Sequence, residues 1–291
     1  MNLSKILAAV TKSQQESSDI HLNPEKYNIN SEVIQKSGKD YTNAVDIAVE
    51  NFLKARLKRE FPEIGFLGEE TQVEQGGRYF WIIDPTDGTA VYSTGGEYYS
   101  NSIALADRQD KKVIFGSVYQ PTRKRQFVRL ENEVYISEEI ITKQGKKLKI
   151  ERKLQPSKSK GLPELMGCAI LPSKYREKNL KLYEKLAHLF DKIEFPKLER
   201  NYGMINAIPA SGSSALFCCD IASGNRHFAL LYFQKAWDLA AGSLFARDSG
   251  CIVEPEDLEQ TIATSAKESL IDVKVFANPY VRDIVMSRLN R

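Results

Sequence analysis

The alternation of apolar and polar positions divides the chain into a β-rich first half and a second half in which strands and helices alternate. Between residues 42 and 61 apolar side chains recur at helical spacing, which predicts an amphipathic helix that ends before Pro62. Charged turns then separate short β-prone runs, which predict strands at 80–83, 101–106, 113–119 and 126–130. The first half is therefore expected to be a helix followed by a sheet.

A lysine-rich stretch at 142–159 interrupts this pattern, and we interpret it as a solvated hairpin edge and a linker. Beyond it the pattern predicts strands at 167–171, 228–233 and 273–277, and helices at 179–190 and 280–289, with a Ser/Gly loop and another helix between 190 and 228. Such alternation favours an α/β arrangement. We expect two domains, 1–153 and 154–291.

The charge balance and the apolar runs exclude several classes of protein. Basic and acidic residues number 41 and 38, which is too even to indicate a nucleic-acid partner. The apolar run at 6–10 is too short for a signal peptide, and no run approaches the ~20 residues that span a bilayer. Four cysteines without a C-x-x-C pair indicate reduced thiols. We expect a soluble cytoplasmic protein that binds neither nucleic acid nor membrane.

Acidic residues stand at the boundary of apolar elements in three places: Gly68-Glu69-Glu70, Asp84-Pro85-Thr86-Asp87-Gly88-Thr89 and Trp237-Asp238. Each one alone fits a structural role as a solvated acid, a turn former or a helix cap. Together they offer several carboxylates and a backbone carbonyl, without a histidine or cysteine nearby in sequence. An all-oxygen donor set of this kind favours Mg²⁺ over Ca²⁺ or Mn²⁺ and disfavours zinc.

The string Asp84 to Thr89 also has the character of a turn into a helix. Pro85 restricts the backbone so that Asp84 and Asp87 can converge, and Gly88 allows the chain to approach a ligand closely. The amides of Gly88 and Thr89 would then lie at a helix N-terminus, where N–H groups attract a phosphate. The string therefore predicts a metal site beside an anion site.

The order G-E-E, D-P-x-D-G-T, W-D-x-A-A-G resembles the inositol-monophosphatase-like superfamily. That superfamily includes inositol monophosphatases, bacterial and archaeal fructose-1,6-bisphosphatases, and 3'(2'),5'-bisphosphate nucleotidases of the CysQ type. Further similarity lies in Thr42 to Asp46, in Gly212 to Leu216 and in Phe276 to Pro279. The resemblance implies an α/β (α+β) fold, a layered αβαβα sandwich with the site between its halves. Dimers are common in that superfamily, so the resemblance also favours a homodimer.

The resemblance assigns a role to each matching residue. Glu69, Asp84, Asp87, Asp238 and the Thr86 carbonyl match the metal ligands, and Asp46 matches an outer acid that helps to hold a further, weaker Mg²⁺, which gives two or three ions. Thr89 and Glu69 match the pair that orients the attacking water. The residues expected to contact substrate are Asp87, Gly88, Thr89, Gly212, Ser213, Ser214, Arg226 and Lys235.

The sequence departs from the family pattern at the expected rim of the pocket. Ala90-Val91-Tyr92 follows D-G-T, and counting seven positions back from Asp238 gives Leu231, where inositol phosphatases have a glutamate. Arg226 and Lys235 are candidates for holding a second phosphate. The three histidines, His21, His188 and His227, are interpreted as surface or packing residues.

The function predicted from the sequence is a Mg²⁺-dependent phosphomonoesterase acting on an inositol-phosphate-like or sugar phosphate. A 3'(2'),5'-bisphosphate nucleotidase and a non-catalytic relative that binds a phosphate ligand or a protein partner remain alternatives.

Overall fold

Two large β-sheets with helices on their faces, and a small two-stranded sheet, make up the part of the chain that the computed structural model describes. That part comprises residues 2–29, 33–37, 40–74, 76–130, 132–141, 147–158, 165–172, 175, 177–191 and 212–290.

The first half of the chain builds the larger sheet. Its helices are α1 (Leu3–Leu22), α2 (Ala44–Glu60) and α3 (Thr89–Ser93). Its seven strands, adjacent in chain order, are β3 (Gly65–Gly68), β4 (Tyr79–Asp87), β5 (Ser100–Asp107), β6 (Lys112–Gln120), β7 (Arg125–Leu130), β8 (Glu133–Ile141) and β9 (Lys147–Lys153). The β3 and β4 strands run parallel and the other neighbours run antiparallel. A separate antiparallel pair consists of β1 (Val33–Ser37) and β2 (Asp40–Asn43).

The second half builds a four-stranded sheet in the order β10-β11-β13-β12. Its strands are β10 (Gly167–Ile170), β11 (Phe228–Gln234), β12 (Ile252–Glu254) and β13 (Ile271–Phe276). Its helices are α4 (Leu180–Asp191), α5 (Ser214–Ala222), α6 (Ala236–Asp248), α7 (Leu258–Thr264) and α8 (Pro279–Leu289). None of the described helices is long and apolar enough to cross a lipid bilayer.

Side chains that alternate along the strands separate three apolar cores. On β4, Trp81 and Ile83 point into the core formed with α1 and α2. Phe80 and Ile82 point the other way, into a core shared with α5, α6, α7 and one face of the smaller sheet. The opposite face of that sheet packs against α4 and α8. The order of layers is therefore αβαβα, which confirms the expected fold class.

Most of the predicted elements are present with boundaries shifted by a residue or two. The structure adds α1, where the sequence showed only a short apolar run, because polar residues such as Ser13 and Gln14 are buried on this helix beside Ile6 and Val10. All four cysteines are free and buried, as expected. Residues 192–211, which belong to the segment expected to contain the Ser/Gly loop, and residues 142–146 of the expected hairpin lie outside the described residues, and the division at residue 153 stays a prediction.

Candidate metal centre

Three carboxylates meet where β4 ends and α6 begins. Oxygen atoms of Asp84, Asp87 and Asp238 all lie within 4.8 Å of one another. Asp84 follows Phe80 and Ile82 in the β alternation, so it faces the α6 side of the sheet. The pairing of β4 with β5 shifts register between Asp84 and Asp87, and both acids reach the same cluster.

Asp87 also ties this cluster to the N-terminus of α5. Its carboxylate accepts hydrogen bonds from the Ser213 hydroxyl (2.5 Å), the Ser214 amide (3.0 Å) and the Ala215 amide (2.7 Å). The structure therefore brings the predicted substrate residues Ser213 and Ser214 against a predicted metal ligand. Each contact satisfies an amide or hydroxyl at a helix end that lacks an intrahelical partner.

Two glycines make this close approach possible. Gly88 has a φ of +96° and Gly212 a φ of +126°, a region that other residues adopt only with strain. A Cβ on Gly88 would lie 3.1 Å from the Ser213 amide nitrogen, and one on Gly212 would lie 2.6 Å from the Tyr98 ring. The loop after β4 and the start of α5 therefore need glycine at both positions.

The Glu69-Glu70 turn is held by a buried residue that the sequence analysis missed. The carboxylate of Glu50 in α2 accepts hydrogen bonds from the amides of Glu70 and Thr71, both at 2.8 Å, and from the Thr71 hydroxyl at 2.6 Å. The charge of Glu69 raises the pKa of Asp84, so Glu69 belongs electrostatically to the cluster. Glu50 could have been found from its position four residues after Asp46, on the same helix face.

Asp46 lies in the first turn of α2 and is fully buried. Its Oδ2 accepts hydrogen bonds from the Asn43 amide (3.1 Å) and the Thr42 hydroxyl (3.2 Å), whereas its Oδ1 is buried without a hydrogen-bond partner among the described residues. Burial raises the pKa of Asp46 to about 6, although the hydrogen bonds from Asn43 and Thr42 lower it. A buried oxygen without a donor suits a cation as its partner.

Thr86 and Thr89 form hydrogen bonds within the loop that carries Asp84 and Asp87. The Thr86 amide donates to Asp84 Oδ1 (2.9 Å), and the Thr89 hydroxyl donates to the Thr86 carbonyl (3.0 Å), the atom expected to bind metal. On the other side, His21 Nε2 lies 3.0 Å from the Thr86 hydroxyl oxygen. His21 was interpreted as a packing residue, and it is buried, but it contacts the predicted metal loop directly.

The electrostatics of the cluster are those of a cation site. Burial raises the pKa of Asp84 well above its usual value, and the charges of Glu69, Asp87 and Asp238 raise it further. Burial and Asp238 raise the pKa of Asp87 to about 7, against hydrogen bonds from the start of α5. The N-termini of α2, α5 and α6 offset part of this repulsion. An oxygen-only set of crowded carboxylates, with Asp84 and Asp87 buried and Asp238 half-buried, fits a divalent hard cation such as Mg²⁺.

Two predicted substrate residues have other partners. Arg226 follows the C-terminal end of α5, where it forms an ion pair with Asp220 at 3.4 Å, whereas Asp87 contacts the N-terminal end of that helix. The Lys235 ammonium contacts the Glu268 carboxylate at 3.2 Å and the Lys267 carbonyl at 3.3 Å. Lys235 does lie beside the cluster through its backbone amide, which donates to Asp238 Oδ2 at 2.7 Å.

The expectation that Leu231 faces the substrate is wrong. Leu231 is completely buried in the central apolar core. The register of β11 against β13 shifts between Leu231 and Gln234, with Phe233 at a φ of +56°. As a result Gln234 approaches α5, and its Oε1 accepts a hydrogen bond from the Ser214 hydroxyl at 2.5 Å. A count along the sequence could not anticipate this irregularity in the strand.

Five alternating layers with an acidic cluster at the start of α6 define a layered α/β protein with a candidate divalent-cation centre. The chain belongs to the inositol monophosphatase family, whose sequence profile matches residues 2–272. This family normally uses Mg²⁺, and its members act on small phosphorylated metabolites.

Individual relatives fall under two names. The chain is 31% identical over 224 residues to Nus factor SuhB of Xylella fastidiosa, covering 75% of this chain and 70% of the relative. It is 27% identical over 223 residues to the inositol-1-monophosphatase of Rhizobium meliloti, covering 76% of this chain and 74% of the relative. The solved structure of a Thermotoga maritima IMPase superposes with a TM-score of 0.68 at 19% identity over 98% of this chain and 96% of the other. That similarity shows the shared fold.

Proposed function

We propose that the protein is a Mg²⁺-dependent phosphomonoesterase that hydrolyses a small soluble phosphate ester. The observation that carries the proposal is the convergence of Asp84, Asp87 and Asp238 to within 4.8 Å, with Glu69 raising the pKa of Asp84. Buried carboxylates that repel one another cost stability unless a cation binds them. Their arrangement therefore favours a functional site over a structural one.

In this proposal Glu69, Asp84, Asp87, Asp238 and the Thr86 carbonyl hold two ions, and Asp46 helps to hold a third. Bound Mg²⁺ would lower the pKa of water and stabilise negative charge on the leaving oxygen.

The residues of the chain supply orientation. Glu69 and the Thr89 hydroxyl are proposed to align the attacking water, and the amides of Gly88 and Thr89 to hold the phosphate. The hydrogen bonds that Asp87 accepts from Ser213 and Ser214 support the placement of Gly212, Ser213 and Ser214 next to this proposed phosphate position. Positioning and charge neutralisation account for most of the catalysis of phosphoryl transfer.

An inositol-phosphate-like or sugar phosphate is the proposed substrate. A nucleotide 3'(2'),5'-bisphosphate would need cations for its second phosphate, and the two candidates, Arg226 and Lys235, already pair with Asp220 and Glu268. Because Leu231 lies in the core, the absence of a glutamate at this position does not argue against a polyol substrate.

A second candidate is a role in binding a partner, with or without hydrolysis. Relatives at 31% and 30% identity are named Nus factor SuhB, and others are named inositol-1-monophosphatase. The absence of a nucleic-acid partner and the formation of a homodimer both remain predictions. Retention of the protein on RNA or DNA at moderate salt would favour this second candidate.

A screen of phosphorylated metabolites with inorganic phosphate as the readout tests the proposal. We expect release from a sugar or polyol monophosphate in millimolar-range Mg²⁺, none in chelator, and weaker release with lithium, as the family resemblance implies. Release that persists in excess chelator would contradict the metal mechanism. Absence of release from every compound, by a folded protein that binds Mg²⁺, would favour the partner-binding candidate.

A further inference from the structure

A short turn between α7 and β13 contacts both halves of the candidate metal centre. The Ser269 amide donates to the Ala266 carbonyl (3.0 Å), and the Ala266 amide donates to the Ser269 hydroxyl oxygen (3.2 Å). These two hydrogen bonds close a turn that carries Lys267 and Glu268 at its tip. The tip therefore presents a cation next to an anion.

This turn is joined to the start of α6. The Lys235 ammonium donates to the Lys267 carbonyl (3.3 Å) and contacts the Glu268 carboxylate (3.2 Å). Lys235 directly precedes α6, and its amide donates to Asp238 Oδ2 (2.7 Å). The ammonium nitrogens of Lys267 and Lys235 lie 5.9 and 6.0 Å from the centre of the Trp237 ring, within the range of a cation–π contact. The turn is therefore fixed beside the acid that the second half of the chain contributes.

The Lys267 side chain reaches the other half of the centre. Its ammonium donates to the Thr71 carbonyl at 2.6 Å, although the two residues are 196 positions apart in sequence. Thr71 directly follows Glu69-Glu70, and the Glu50 carboxylate of α2 accepts the amides of Glu70 and Thr71. The turn that carries Glu69 is therefore held by an anion at its amides and by a cation at its carbonyl.

The charge of Lys267 and its hydrogen bond act on cation binding in opposite directions. A positive charge near the Asp238 end of the centre repels Mg²⁺. The hydrogen bond to Thr71 restricts the turn that carries Glu69, so less conformational entropy is lost when Glu69 binds an ion. Removal of the ammonium therefore tightens cation binding if the charge dominates and weakens it if the hydrogen bond dominates.

We propose that Lys267 is a positioning residue that joins the two halves of the candidate metal centre by holding the Glu69 turn next to the start of α6. The inference rests on the proposed function, because it assumes that Glu69 and Asp238 bind ions in one centre. Lys267 lies outside the three acidic motifs, on a loop to which the sequence analysis gave no role. Groups one step removed from a metal orient its ligands and set the affinity of the site.

Lys267→Met tests the inference, because methionine keeps an unbranched apolar side chain and removes the ammonium. Lys267 is half-buried in a loop, so the variant is expected to fold. Binding of Mn²⁺ to metal-free protein, measured from the EPR signal of the free aqueous ion, should weaken about tenfold. In phosphate-release assays the Mg²⁺ concentration at half-maximal rate should rise about tenfold, while kcat at saturating Mg²⁺ is retained.

Two matched variants separate the hydrogen bond from other effects. Lys267→Arg keeps a cationic donor and should restore the wild-type affinity for Mn²⁺. Lys112→Met removes an exposed lysine at the start of β6 and should leave Mn²⁺ binding and activity unchanged.

Hydrogen exchange observes the turn without any metal. In chelator, the amides of residues 69–73 should exchange faster in Lys267→Met than in the wild type or in Lys267→Arg, because the turn has lost a contact that restrains it.

Mn²⁺ binding that is unchanged or tighter in Lys267→Met would overturn the inference. Unchanged exchange at residues 69–73, or an equal loss of affinity in Lys267→Arg and Lys267→Met, would overturn it as well. Wild-type protein that binds no Mn²⁺ would instead contradict the proposed function, and the exchange of residues 69–73 would still decide whether Lys267 holds the turn.

Discussion

Replacing Asp84 with asparagine should stabilise the metal-free protein while abolishing the metal response. Carboxylate oxygens of Asp84, Asp87 and Asp238 lie within 4.8 Å of one another, and burial, together with the charges of Glu69, Asp87 and Asp238, raises the pKa of Asp84 well above its usual value. Two ionised carboxylates at this distance repel each other by about 3 kcal/mol at an effective dielectric constant of about 20. Partial protonation already relieves some of this repulsion, so we expect a net gain of about 2 kcal/mol.

For a chain of this size, that gain corresponds to a rise of about 4 °C in the melting temperature. The asparagine side-chain oxygen can still accept the hydrogen bond that the Thr86 amide gives to Asp84, so the loop should keep its shape. Scanning fluorimetry in chelator and in Mg²⁺ measures the melting temperature and its Mg²⁺-induced shift, and phosphate release measures the rate of hydrolysis. We expect the Mg²⁺-induced shift to shrink sharply and the rate to fall by at least about 100-fold.

The opposite outcome is easy to recognise. If Asp84→Asn lowers the melting temperature in chelator by several degrees while the Mg²⁺-induced shift persists, Asp84 has a structural role and the assignment of the metal centre is wrong. The matched control is Asp110→Asn, because Asp110 is an exposed acid whose partner is Arg78. That substitution should leave the Mg²⁺ response unchanged.

Three further results follow from the structure. In chelator, the free energy of unfolding should fall as the pH rises from about 4 to about 7. The pKa values of Asp46 (about 6) and Asp87 (about 7) are raised in the folded state, so the folded protein still binds protons that the unfolded chain has lost in this range. Urea titrations that show rising stability across this window would contradict the prediction. Glu50→Gln replaces one of the two carboxylate oxygens that accept hydrogen bonds from the amides of Glu70 and Thr71. The Mg²⁺ concentration at half-maximal activity should therefore rise about tenfold. An unchanged midpoint would show that the turn does not need this carboxylate. Leu231→Glu should destabilise the fold by about 3 kcal/mol or more because it buries a carboxylate in the core, and a folded variant of wild-type stability would show that Leu231 reaches solvent or the pocket.

Local signals in the sequence predicted most of the helices and strands and the acids of the site, whereas the layered arrangement was expected from the family resemblance. Strand and helix periodicity fixed most of the elements, and Asp84, Asp87 and Asp238 each stand where an apolar run ends. Convergence of these three acids follows from β alternation and from the position of α6 beside β4. Local sequence pattern was therefore sufficient to predict a site residue wherever the strand or helix that carries the residue also determines the direction of its side chain.

What the sequence could not predict depends on contacts between distant segments. The α1 helix carries buried polar residues, Gln14 and His21, whose partners come from β5 and the loop of β4, so its pattern is not cleanly amphipathic. The position of Gln234 depends on an irregularity in β11 that has no signal of its own. The partners of Arg226 and Lys235 likewise become visible only when the chain is folded.

The central claim, that the acidic cluster is a catalytic Mg²⁺ centre, is tested most directly by the initial rate of phosphate release as Mg²⁺ is titrated into metal-free protein. With the best monophosphate substrate, we expect a rate that rises from zero and saturates in the wild type, and no rise at any Mg²⁺ concentration in Asp238→Asn. Wild-type hydrolysis without Mg²⁺, or equal hydrolysis by Asp238→Asn, would contradict the account.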